Sequence, residues 1–109
     1  MNPYLLIPAL DKEIAIPEKG ILSHTLHNDE SLKIILFGFA QGQELTAHTA
    51  PMPATLHFIS GDATVTLGDD KHDVAPGAFV YMAPKLTHGI SAKTPLMMLL
   101  YLHKAARES

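Results

Sequence analysis

The sequence predicts an all-β domain, a sandwich or barrel of short strands, and three observations carry that prediction. The apolar segments are short and rich in β-branched and aromatic residues. Glycine, proline, aspartate and asparagine punctuate them at regular intervals. No window of eleven or more residues holds a clean 3.6-residue apolar period, so helices are expected to be minor. With 109 residues, 47% of them hydrophobic, the chain fits one domain over residues 1–109 with a real core.

Taken in order, a single helical turn is expected near Pro3–Leu10, and a first strand at Ile21–His27, closed by Asn28-Asp29-Glu30. Leu32–Phe39 follows, ended by Gln41-Gly42, then Ala54–Ile59, the turn Ser60-Gly61-Asp62, and the alternating Ala63–Leu67. Gly68-Asp69-Asp70-Lys71 and Pro76-Gly77 are further turns, ahead of Phe79–Met82 and Leu96–Leu102. Gly61 and Gly77 are expected at corners that disfavour a side chain. The tail Ala105–Ser109 is expected to fray. Two segments, 33–39 and 96–102, are apolar at odd and even positions alike. Strand side chains alternate faces, so both faces of these strands must be covered. The N-terminal segment or a second subunit would supply the outer cover. Charged residues make up 17% of the chain against the ~25% usual for soluble proteins, and a homodimer is therefore expected.

Composition also excludes functions. Eight basic and eleven acidic residues give a net charge of −3 with no basic run, so a nucleic-acid footprint is not expected. There is no cysteine, which removes disulfides, thiolate ligands and thiol nucleophiles. The longest late apolar run is far short of the ~20 residues that cross a bilayer, and no signal peptide is visible. A cytoplasmic protein without membrane partners is expected. No serine sits in a Gly-x-Ser-x-Gly elbow, no Gly-x-Gly-x-x-Gly loop is present, and Asp69-Asp70 reads as a turn.

Seven histidines are the main chemical resource. His48 precedes the rigid Pro51-Met52-Pro53 stretch, and His88 follows Pro84, contexts that hold a backbone still for ligand binding. His24 and His27 are expected on opposite faces of one strand, and His72 and His103 in solvent.

Gly42, His48 and Gly61 match the start and end of the first of two motifs, and Gly77 and His88 match both ends of the second. In these spacings the chain resembles the small single-domain cupins, over a core of about residues 32–102. The resemblance implies a double-stranded β-helix, or jelly-roll barrel, of about six to eight main strands. It further implies a divalent transition metal (Fe, Mn, Ni or Zn) held by His48 and His88. The family's other two ligands fall on Ala50 and Ala54, and its second-motif proline and glycine on Ala83 and Lys85, with Pro84 one place late. Glu44, at the same strand parity as His48, is a candidate to complete the shell. His57 is another, although parity puts it on the opposite face unless a bulge intervenes. Without a metal, the pair reads as two imidazoles in a polar pocket. The pocket lining is expected to be His48 and His88 above Leu56, Phe58 and Met82. Three functions are compatible with this: a small-molecule binding barrel, a metal-dependent dioxygenase acting on a small aromatic or diketone-like compound, and a structural or regulatory dimer module.

Overall fold

The computed structural model describes residues 3–104; the tail expected to fray lies outside the described residues. These residues form nine strands: β1 (Ile21–Asn28), β2 (Leu32–Phe39), β3 (Glu44–His48), β4 (Ala54–Ser60), β5 (Ala63–Leu67), β6 (Asp70–Val74), β7 (Phe79–Met82), β8 (His88–Ala92) and β9 (Leu96–His103). One sheet runs β1-β2-β9-β4-β7 and the other β3-β8-β5-β6, with every pairing antiparallel. The count exceeds the expected six to eight because of strands such as β6, Asp-Lys-His-Asp-Val, which has no apolar alternation. It becomes a strand because the two-residue turn Gly68-Asp69 folds it back along β5, from Leu67↔Asp70 to Ala63↔Val74. The helical turn is a 3-10 turn at Leu10–Lys12, later than expected. Pro8 disfavours helical backbone at the residue before it and delays the turn.

The inner faces of the two sheets enclose a core of Phe39, Leu56, Phe58, Val65, Met82, Leu96 and Met98, all at most 1% exposed. The outer face of the five-stranded sheet carries a second cluster of Leu36, Met97 and Leu99. Leu10, Ile14 and Ile16 of the N-terminal segment pack over it. That segment crosses close above Gly38, where a Cβ would stand 3.2 Å from Ile14 Cδ1 and 3.3 Å from Ile16 Cα. Of the two covers expected for β2 and β9, the chain itself supplies one.

At one end of the barrel, two five-residue connections cross between the sheets: 49–53 joins β3 to β4, and 83–87 joins β7 to β8. The Lys85 N–H donates to the Ala50 carbonyl at 2.8 Å and ties the two together. Lys85 takes a left-handed backbone, φ 71°, at the place where the motif has glycine. The turn from β2 to β3 lies at the opposite end, as do the corners at Gly61 and Gly77, with φ of 85° and 93°. These are backbones that disfavour a side chain, as expected.

Candidate functional site

The sheets bring His48 and His88 together. The two residues are register partners on β3 and β8, and their ring centroids are 4.4 Å apart with planes inclined at 55°. They sit at the mouth flanked by the two tied connections. His88 is buried and His48 is exposed, so the pair leads from the core edge to solvent. Each ring is anchored alike: His48 Nδ1 lies 2.9 Å from the Thr46 carbonyl oxygen, and His88 Nδ1 lies 2.9 Å from that of Leu86. A carbonyl only accepts, so each Nδ1 carries the hydrogen and donates it. Each Nε2 is thereby left with its lone pair for a ligand.

A β-bulge makes this convergence possible. Leu45 pairs with Ile90 and His48 with His88, so three steps on β3 oppose two on β8. The bulged backbone at Leu45–Ala47 lies against Gly89, where a Cβ would stand 3.1 Å from the Leu45 oxygen and 3.3 Å from the Ala47 nitrogen. A side chain there would crowd the bulge, so glycine lets the backbone settle close against β8 next to His88 itself.

The bulge also corrects the reading of Glu44. Parity counted from His48 put Glu44 on the inner face, but the bulge reverses parity between them. Glu44 pairs with Ser91 on the outer face of the four-stranded sheet. There it lines a groove of about 400 Å³ with Thr64, Thr66, Lys71 and Ser91. His57 pairs with Leu99 and Phe79 on the outer face of the other sheet; the bulge in β4 falls after it, between Phe58 and Ser60. Leu56, Phe58 and Met82 are core side chains in contact with one another's cluster, not the walls of an open cavity. A second apolar crevice of about 200 Å³ lies between the N-terminal segment and the outer face of the five-stranded sheet, along Leu5, Leu26, Ile34 and Tyr101.

Two other histidine expectations change. A bulge between Thr25 and His27 puts His24 opposite Leu36 and His27 opposite Ile34, on one face rather than two. His103 is half-buried rather than solvated: its Nε2 is 2.8 Å from Thr55 Oγ1, and its ring stacks on Tyr101. His72 is exposed. Lys33, by contrast, was given no role in the sequence. Its signal was available, as a single charge inside an otherwise apolar strand, and the register sets it on the inner face in the mouth row Met82–Ala54–Leu102–Lys33.

The donor set does not fit a resident metal of the kind the motif implies. Catalytic metal sites of this type keep about three protein ligands. Among the described residues no three His, Cys, Asp or Glu side chains come together. The positions of the missing ligands hold methyl groups, Ala50 in the mouth connection and Ala54 on the inner face beside Met82.

Two antiparallel sheets closed around one core, with a histidine pair at the tied mouth, define a double-stranded β-helix barrel. The chain belongs to the cupin domain family, whose pattern matches residues 35–102. No curated protein matches it in sequence. Among solved structures it is similar to a conserved protein of unknown function from Streptococcus pyogenes, at 29% identity and a TM-score of 0.85, covering 98% of this chain and 92% of that one. It is also similar to a cupin superfamily protein from Desulfitobacterium hafniense, at 25% identity and a TM-score of 0.80, with 84% of each chain covered. A DMSP lyase from Ruegeria pomeroyi shares the fold at 16% identity and a TM-score of 0.73, over 83% of this chain and 50% of that one.

Proposed function

We propose that this protein is a cytoplasmic small-molecule-binding cupin, in which His48 and His88 accept hydrogen bonds from a polar ligand at the barrel mouth, without turnover. One observation carries the reading: both Nδ1 atoms are committed to backbone carbonyls, which leaves two neighbouring Nε2 atoms as free acceptors. Ala54, where the family motif has a carboxylate, offers no acid or base, which favours binding over the dioxygenase reading.

Calorimetric titration of nickel, manganese, zinc and ferrous iron into wild type, His48→Ala, His88→Ala and Ala50→His/Ala54→Glu tests it. Wild type is expected to bind each metal weakly, and less in acid because protons compete for imidazole. The double variant should gain orders of magnitude in affinity. Tight, stoichiometric binding by wild type that is lost in both alanine variants would overturn the metal-free reading in favour of a metalloenzyme. Long-range nitrogen–proton spectra should show both rings protonated at Nδ1; a proton on either Nε2 would remove the paired acceptors.

We also propose a homodimer, on a different observation from the one the sequence suggested. Phe79 and Tyr81 are 69% and 60% exposed on the outer face of β7. Their register neighbours there, His57 and Thr55, carry no carboxylate or ammonium, so a second copy can stack without like-charge repulsion. Light scattering should give twice the chain mass for wild type, and the monomer for Phe79→Ser/Tyr81→Ser.

A further inference from the structure

Lys33 narrows the chemistry of the molecule the histidine pair takes. The inner positions of β2 read Lys33, Ile35, Phe37 and Phe39, and the inner positions of β9, β4 and β7 are apolar throughout. Lys33 is thus the one charge those four strands turn inward among the described residues. It is half-buried between its register partners Leu102 on β9 and Asn28 on β1, and among the described residues no hydrogen bond or ion pair engages its ammonium.

Topology sets it across from the histidines. β2 and β3 meet at the turn 40–43 and belong to different sheets. Lys33 at the start of β2 and His48 at the end of β3 therefore both lie at the end away from that turn. One wall of the mouth offers a half-buried cation between Leu102 and Asn28, where an anion is held more strongly than in bulk water. The other offers two nitrogen acceptors, which repel a carboxylate and take an O–H instead. Building on the binding reading above, we infer that the mouth takes a small hydroxycarboxylate, its carboxylate on the Lys33 ammonium and its hydroxyls donating to Nε2 of His48 and His88.

Three four-carbon probes separate the parts: tartrate has hydroxyls and carboxylates, succinate only carboxylates, and threitol only hydroxyls. The readout is the ring nitrogen shifts of His48 and His88 during titration. Tartrate should bind best, with succinate and threitol each at least about tenfold weaker. Lys33→Met, which suits its apolar neighbours, should bring tartrate down to the threitol level and leave threitol unchanged; Lys33→Arg should retain tartrate. If threitol equals tartrate, or Lys33→Met binds tartrate as wild type does, the anion site is wrong while the histidine reading stands. If calorimetry shows tartrate bound to wild type and lost in Lys33→Met while neither ring shifts, the histidine reading falls and the anion site stands. If none of the three probes moves the rings, the hydroxycarboxylate assignment is overturned.

Discussion

The two sheets of this barrel live under different conditions. The centre of the five-stranded sheet, β2 and β9, is buried on both faces, by the shared core within and by Leu10, Ile14 and Ile16 without. The four-stranded sheet is buried on its inner face alone and turns Thr64, Thr66, Lys71 and Ser91 outward. The histidine pair belongs to the second sheet. The sheet whose centre is held on both sides serves as the frame, and the other carries the histidine pair.

The largest expected effect tests that contrast directly. Leu36→Ala, on the outer face of the frame, should cost about 2–5 kcal/mol, as an interior leucine does. Thr66→Ala, on the outer face of the other sheet, should fall within about 0.5 kcal/mol of wild type. Urea denaturation checks both, and a small loss for Leu36→Ala would show that the N-terminal segment covers nothing. The corners between the sheets come next. Gly61→Ala forces a Cβ into the Pro95 carbonyl oxygen and to 2.9 Å from Leu96 Cα, at a backbone already left-handed. It should cost about 3 kcal/mol or more. Gly77→Ala meets nothing within 4 Å and should cost about 1 kcal/mol from its backbone alone. Equal melting temperatures for the two variants would refute this ordering.

The smallest effect concerns the β1–β2 hairpin. Asp29 accepts hydrogen bonds from the His27 ring and from the Ser31 and Leu32 amides. These hold its carboxyl at about 2 against an ordinary 3.8, with the His27 bond the largest cause. The folded value is the lower one, so the contribution is complete above pH 4 and is lost as pH falls through 2. Melting temperatures between pH 5 and 2 should decline less steeply in Asp29→Asn.

Most of the frame was legible in the sequence because double-sided burial leaves an unbroken apolar run, as in β2 and β9. β6 was not, since a polar edge strand is made by its turn and its partner rather than by its own pattern. At the site, His48 and His88 were legible through spacing. Glu44 was misplaced because alternation fixes a face only while the ladder stays regular, and the bulge beside Gly89 interrupts it. His103 was misplaced because its partner Thr55 lies 48 positions away on another strand. Lys33 was legible only as a lone charge in an apolar strand, and its place in the mouth row follows from pairing with β9, which is not local.

The bond from the Lys85 N–H to the Ala50 carbonyl works as a girth strap. One connection follows His48 and the other leads into His88, so a tie between them limits how far the mouth can spread without touching either ring. On the binding reading proposed above, a guest wider than that girth would have to break a backbone hydrogen bond worth about 1 kcal/mol and would free Lys85 to leave its left-handed conformation. On that reading, breadth of guest would be screened by main chain rather than by the side chains of the rim, and substitutions around the rim would alter which groups are recognised while the admissible width stays the same.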